Sequence, residues 1–136
     1  MLFRSQRVAA KKERVAELLG KQSSLVENAG KQLGDAYWIA EPDDIIAMNL
    51  RQLRDAKGQA LDVHTEYYAA RGATLVTVIA ADHPGLFYRI AGAIHLAGAN
   101  VIDARIHTTR DGMAIDNLLV QDPFGRPFDE IGRAHV

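Results

Sequence analysis

A break between two apolar patterns constrains the fold of this chain more than any other feature. The run "TLVTVIAA" (74–81) is rich in β-branched residues, which is typical of a buried strand. "DHPG" (82–85) ends the run at once. Four apolar residues then follow at helical spacing: Phe87, Ile90, Ala91 and Ile94. The sequence therefore predicts a strand over 74–81 followed by a helix over 85–98 that packs on it.

Two more strands are predicted after this helix, over 100–109 and 113–121. Asp111-Gly112 stands between them, and Asp-Gly is a strong short-range hairpin signal. If these two residues form the whole loop, His107 lies opposite Asp116. That register gives neither face of the hairpin a clean apolar row, so a bulge and burial on both faces both remain open.

The first half of the chain has helical patterns instead. An amphipathic helix is predicted over 6–20, and a second helix from Ser23 or Ser24 to Trp38. A third helix follows Pro42 and ends at Lys57-Gly58. The sequence thus divides into a helical segment over 6–58, a linker over 59–73 with a possible short edge strand at 61–66, and a strand-containing domain over 74–130.

The order strand, helix, strand, strand is the first part of a ferredoxin-like βαββαβ unit, so the predicted fold class is α+β, with an incomplete βαββ domain after a helical segment. The last helix and strand of the unit are absent from this sequence, and "DPFGRPFDE" (122–130) is predicted to be the turn before that helix. The helix-facing side of the sheet should therefore be partly uncovered.

The two ends of the sequence differ in character from the rest. "MLFRS" (1–5) and "IGRAHV" (131–136) resemble the translated ends of a short sequencing adapter. The natural segment is therefore expected to be about residues 6–130.

Composition narrows the classes of partner and compartment. A formal net charge of −1 gives no electrostatic reason to expect nucleic acid or an anionic membrane. The apolar runs are too short to span a bilayer. The chain has no cysteine, so it has neither disulfides nor thiolate metal sites, which fits a cytoplasmic protein.

The turn at 82–85 has the chemistry of a small anion site. Pro84 fixes φ where the helix begins, and Gly85 lets a ligand approach closely. The first amides of the helix then point outward towards a carboxylate. Asp82 could accept a hydrogen bond from an amino group. The alternative is that Asp82 and its neighbours only cap the helix, and the motif alone does not decide between the two.

The segment "ADHPGLFYRIAGAIHLAGANVIDARIHTTRDGMAIDNLLVQD" resembles an ACT domain, a ferredoxin-like regulatory module that binds amino acids. This resemblance implies a ligand site at the strand-to-helix turn, closed by the start of the next strand. The residues that it assigns to amino-acid binding are Asp82, His83, Pro84, Gly85, Leu86, Phe87, Asn100 and Val101.

A closer resemblance covers essentially residues 6–130. "DARIHTTRDGMAIDNLLVQDPFGRPFDE", with "YWIAEPDD" upstream, is similar to the bacterial bifunctional PII uridylyltransferase/uridylyl-removing enzymes, where the central hydrolase domain meets the first of two ACT domains. The resemblance implies glutamine as effector, the second ACT domain as an intramolecular partner and PII protein as substrate. It also implies Mg²⁺ or another divalent metal in the parent enzyme, and no cofactor in this segment.

Two alternatives to this interpretation stay open. An ACT domain of another metabolic enzyme or of an alarmone synthetase would bind a different amino acid, and the helical segment should discriminate. An RNA-binding ferredoxin-like domain is disfavoured because the strands lack interleaved aromatic and basic residues. No catalytic residue set is predicted. The histidines fall on separate elements without metal-ligand spacing: His64, His83, His95, His107 and His135.

Overall fold

The computed structural model describes residues 3–129 of the chain. Within the described residues two compact units are present, one formed by 3–59 with Thr108–Gly112 and the other by Ala60–His107 with 113–129. The predicted adapter segment 131–136 lies outside the described residues, as do the first two residues of the other predicted adapter segment.

The first unit contains three α-helices: α1 (Arg4–Leu19), α2 (Asp35–Ala40) and α3 (Asp43–Asp55). The helices predicted over 6–20 and after Pro42 are confirmed. Its core is made of side chains with no solvent exposure, namely Val15, Trp38, Ile45, Ile46 and Leu50. Within this core the Tyr37 hydroxyl donates a 2.6 Å hydrogen bond to Asn49 Oδ1, so a buried polar pair links α2 to α3.

The continuous helix predicted from Ser23 or Ser24 to Trp38 is wrong. Short 3₁₀ segments span Gly20–Leu25 and Ala29–Gln32, and α2 begins only after Gly34. Close packing requires a glycine at position 30, because a Cβ there would lie 3.2 Å from the Trp38 ring. Gly34 is the extended N-cap of α2, with φ −79° and ψ 169°, so the chain leaves helical geometry there.

The second unit is a four-stranded antiparallel sheet with one helix. Its strands are β1 (Leu61–Tyr68), β2 (Ala73–Ala81), β3 (Asn100–Thr108) and β4 (Met113–Gln121), in the order β1-β2-β4-β3. Helix α4 (Leu86–Leu96) connects β2 to β3. The three strands and the helix predicted after residue 73 are confirmed, and the fold is ferredoxin-like α+β.

The centre of the sheet is the pairing of β2 with β4. Val76 lies opposite Leu118 and Val78 opposite Asp116. Residues that face each other across an antiparallel pair project from the same side of the sheet. Val76, Val78 and Leu118 pack with Ile94 of α4, which defines this side as the α4 face. Residues 114–120 are all buried, so the central strand β4 is buried on both faces.

The edge strand predicted at 61–66 is present as β1 and extends to Tyr68. It pairs with β2 along its whole length, from Leu61 opposite Ala80 to Tyr68 opposite Ala73. A strand upstream of the βαββ segment thus occupies the edge beside β2, so the sheet has four strands within the described residues. By register Val63 is on the α4 face, and 36% of it is exposed, so the prediction of a partly uncovered face is confirmed.

The loop between β3 and β4 is longer than two residues. Four residues lie between the strands, and the Gly112 amide donates a 3.1 Å hydrogen bond to the Thr109 carbonyl. Gly112 has φ 87°, a conformation that suits glycine. The interpretation in which Asp111 and Gly112 form the whole loop is therefore wrong, because the chain turns over four residues.

We expect Leu118→Ala to lower the free energy of unfolding by about 3 kcal/mol, since Leu118 has no exposure and its removal leaves a cavity between β4 and α4. Ile106→Ala is the control, because half of Ile106 is exposed on the edge strand β3, and it should cost less than about 1 kcal/mol. Urea unfolding followed by circular dichroism measures both. Equal losses would contradict the placement of Leu118 in the core.

Candidate functional site

The turn from Asp82 to Gly85 joins β2 to α4 and is exposed along its whole length. The Leu86 amide donates to the His83 carbonyl at 3.2 Å, and the Arg89 amide donates to the Gly85 carbonyl at 3.1 Å. These two bonds close the turn and start the helix. The sequence-predicted residues 82–85 are thus brought together on one exposed turn.

Gly85 is the N-cap residue of α4 and has φ 85°. A side chain there would be strained by the backbone conformation, yet a Cβ would meet nothing within 4 Å. The space beside Gly85 is therefore open, as ligand approach requires. The N-cap position belongs to Gly85, so the segment 82–85 also forms the start of the helix, as the capping alternative predicts.

Leu86 and Phe87, which were predicted to belong to the ligand site, also contribute their side chains to the core. Leu86 and Phe87 are partly buried and pack against the apolar cluster on the α4 face. Their backbone amides belong to the first turn of α4, while their side chains anchor that turn to the sheet. Any ligand that displaces this turn must disturb these two side chains.

Asn100 and Val101 do not close the turn within one chain. The end of β2 at Ala81 lies opposite Met113, next to the β3–β4 loop. The start of β3 lies at the other end of the hairpin, near Gln121. A strand of nine residues rises roughly 25 Å. Within one chain Asn100 and Val101 therefore lie at the end of the sheet away from the turn, because β2 and β3 both begin at that end and run in the same direction.

Asp116 is the functional candidate that sequence reasoning missed. It lies on the α4 face opposite Val78, and only 1% of it is exposed. Among the described residues no group forms a hydrogen bond to its Oδ1 atom. Between Asp116 and the turn, the same face of the central strands carries only Ala80 and Ala114. A buried carboxylate oxygen without a partner requires an explanation, since such groups are rare in folded proteins.

The surroundings of Asp116 favour its neutral form. Burial is the largest cause, and together with the negative charge of Asp82 it raises the pKa of Asp116 from 3.8 to about 6. His107 acts in the opposite direction and only partly offsets these two effects. Two carboxylates at the turn end of the sheet thus repel each other, and a cation between them would relieve this repulsion.

A signal for Asp116 is present in the sequence. "AIDNLLV" (114–120) contains one acidic residue inside a run that the structure buries on both faces. Charged residues are almost never fully buried unless they are paired. The position predicted for Asp116, opposite His107 in the hairpin, suggested an ordinary structural role and concealed this signal.

Other features of the described residues are less informative about function. Within 3–129 no group of three or more His, Asp or Glu is arranged to hold a metal ion, and no helix there is long and apolar enough to cross a membrane. An open depression of about 480 Å³ lies in the loop after β4, around Phe124 and Arg126. Asp122 shapes this loop, because its Oδ1 atom accepts hydrogen bonds from the backbone amides of Phe124 at 2.8 Å and Arg126 at 3.0 Å.

Residues 74–127 match the ACT domain family. This segment contains β2, α4, β3, β4 and the exposed turn, so the second unit is built around an ACT domain. No solved structure matches the chain significantly.

Similarity to known proteins extends well beyond the ACT domain. The chain is 64% identical over 127 residues, 93% of its length, to the bifunctional uridylyltransferase/uridylyl-removing enzyme of Novosphingobium aromaticivorans. It is also 64% identical to that of Erythrobacter litoralis and 48% identical to that of Zymomonas mobilis, over 93% and 90% of the chain. The chain spans only 14%, 14% and 13% of the length of these relatives. It therefore fits a fragment of such an enzyme.

We expect Asp116→Asn to stabilise the chain above pH 6. Because the pKa of Asp116 in the folded state is above its unfolded value, its ionisation lowers stability as pH rises from about 4 to about 6. The variant should gain up to about 3 kcal/mol at pH 7.5, and this gain should vanish near pH 4. Urea unfolding at several pH values measures the difference.

Asp62→Asn is the matched control, because Asp62 lies opposite Ile79 on the other face of the sheet. It should show no such pH-dependent gain. A destabilised Asp116→Asn at pH 7.5 would contradict the view that this carboxylate is buried at a net cost.

Proposed function

We propose that this chain is the glutamine-sensing regulatory segment of an enzyme that attaches UMP to the PII signal protein and removes it again. The observation that carries the proposal is the similarity to bifunctional uridylyltransferase/uridylyl-removing enzymes over 93% of the chain, together with the ACT domain at 74–127. The second ACT domain of the parent is the proposed partner within the chain. PII protein is the proposed substrate.

The extent of the similarity supports this assignment over an ACT domain from another enzyme. A match confined to the ACT domain would cover 74–127 alone, whereas the similarity to three relatives spans 124 to 129 residues and must include most of the helical unit. An ACT domain attached to an unrelated catalytic domain would not share α1 to α3.

The turn provides the chemistry that an amino acid needs. The first turn of α4 presents its amides and the positive end of its dipole, which attract a carboxylate. Asp82 places a negative charge on the same exposed turn, which attracts an ammonium group. The open space beside Gly85 leaves room for the ligand backbone. Glutamine is the proposed ligand because the parent enzyme is proposed to report nitrogen supply.

The catalytic chemistry of the parent belongs to other parts of its chain. Both proposed activities, uridylyl transfer and hydrolysis, need Mg²⁺ or another divalent metal to stabilise charge on a phosphoryl group. The proposed residues of this segment bind an effector instead of a metal. A cytoplasmic location follows from the proposed substrates, UTP and PII protein.

We expect Asp82→Ala in the full-length parent enzyme to weaken the glutamine response at least roughly tenfold, since one favourable charge is removed from the ligand site. The concentration of glutamine that half-maximally changes uridylyl transfer to PII is the measurement. Asp55→Ala is the control, because Asp55 is an exposed carboxylate at the end of α3 that pairs only with its neighbour Arg54 among the described residues. An unchanged response in Asp82→Ala, at normal thermal stability, would remove the site from this turn.

We expect residues 6–130 alone to have neither uridylyl transferase nor uridylyl-removing activity, because the sequence contains no residue set for metal-dependent phosphoryl transfer. Incubation with PII protein, labelled UTP and Mg²⁺ tests transfer, and incubation with labelled PII tests removal. The full-length enzyme is the positive control. Stoichiometric labelling of PII by the fragment would show that catalytic residues lie within it.

A further inference from the structure

Asp116 is the best-buried carboxylate in the ACT unit, and neither the similarity to known enzymes nor the proposed turn site gives it a role. It lies on the α4 face of the central strands, three residues after Met113, where β4 begins opposite the end of β2. Only 1% of it is exposed, and Oδ1 has no hydrogen-bond partner among residues 3–129. A strand that is otherwise apolar on this face could carry a leucine here and would be more stable for it.

Asp116 lies near the end of the sheet at which the turn from Asp82 to Gly85 begins. Towards the turn, the next row of the α4 face is formed by Ala80 and Ala114, which have the smallest side chains of the central rows. The first turn of α4 lies above this end of the face, held there by Leu86 and Phe87. On the sheet itself, the row between Asp116 and the turn therefore carries only the methyl groups of Ala80 and Ala114.

The charges around Asp116 favour a cationic ligand group. The titratable groups that influence it are Asp82, at the end of β2, and His107, on β3. The titratable residues of α4, which are Tyr88, Arg89 and His95, are all exposed. Asp82 is negative and disfavours ionisation of Asp116, so an ammonium group placed between the two carboxylates would be attracted by both.

We propose that Asp116 is the residue that binds the ammonium group of the amino-acid effector, beneath the turn from Asp82 to Gly85. This inference rests on the proposed function, because it names a residue of the same site. Since Asp116 is closed to solvent without ligand, binding requires the first turn of α4 to move away from Ala80 and Ala114. Recognition of the ammonium group is thereby coupled to a displacement of the helix that carries the site.

A second consequence is linkage between ligand binding and a proton. Asp116 must be ionised to bind an ammonium group, and the free protein keeps it largely protonated below pH 6. Affinity for the effector should therefore fall roughly tenfold between pH 7.5 and pH 5, as the ionised fraction falls to about a tenth. At pH 6 binding should release roughly half a proton per ligand, since neither charged group of free glutamine titrates there.

The test uses the full-length parent enzyme and two ligands. L-Glutamine carries the ammonium group, and glutaramic acid is the same molecule without it. Isothermal titration calorimetry at pH 7.5 should give wild-type enzyme at least roughly tenfold higher affinity for glutamine than for glutaramic acid. Asp116→Asn should lose most of this preference by weakening glutamine alone. Asp62→Asn, on the opposite face of the sheet, should keep it.

Proton release on glutamine binding is an independent measurement, because it can be compared between variants that still bind glutamine. Titrations at pH 6 in two buffers with different ionisation enthalpies should show release of roughly half a proton per glutamine in wild-type enzyme and in Asp62→Asn, and none in Asp116→Asn. Thermal unfolding of each variant shows whether the fold is intact. An unfolded Asp116→Asn would itself overturn the inference, because the buried charge would then be structural.

The outcomes separate the two proposals. If wild-type enzyme binds neither ligand, the proposed function fails and this inference fails with it. If wild-type enzyme binds glutamine, and Asp116→Asn binds it with the same affinity, ligand preference and proton release, the proposed function stands and the inference alone is overturned. Loss of the ammonium preference together with loss of proton release in a stable Asp116→Asn supports it.

Discussion

The pairing of β2 with β4 is the interaction on which the rest of the ACT unit depends. These two strands provide eight facing residue pairs, from Thr74 with Val120 to Ala81 with Met113. Ile94 and Phe87 pack on the α4-facing side chains of β2 and β4. β1 pairs only with the outer edge of β2, and β3 pairs only with the outer edge of β4. The end of the β2–β4 pairing also fixes where the chain must turn, so the position of the turn at 82–85 is a consequence of the central register.

The elements of the fold were predictable because local patterns and tertiary packing agree. β-Branched runs gave the strands, and the spacing of Phe87, Ile90 and Ile94 gave α4. The errors arose where packing overrides the local pattern. The helical pattern through 23–38 does not reveal that the backbone at Gly30 must pass close to Trp38, and the Asp-Gly signal does not give the length of the loop that contains it.

The candidate site was predictable in part, for a similar reason. The turn at 82–85 is a contiguous motif, so its residues are close whatever the fold. Asn100 is a different case, because its distance from the turn depends on strand direction. Asp116 could not be assigned without the β2–β4 register, which places it on the α4 face. There it is a buried carboxylate whose ionisation lowers the stability of the fold. Retention of such a group is typical of functional residues, where stability and binding compete.

The strand that completes the sheet precedes the ACT segment in the chain, and this order matters during synthesis on the ribosome. All four strands lie between Leu61 and Gln121, and β1 has already been made when β2 emerges. A hairpin can then form from adjacent residues and occupy the outer edge of β2. An unpaired edge of a buried, apolar strand such as β2 is a template for association between nascent chains. The upstream position of β1 therefore covers one edge of β2 before α4, β3 and β4 have been made.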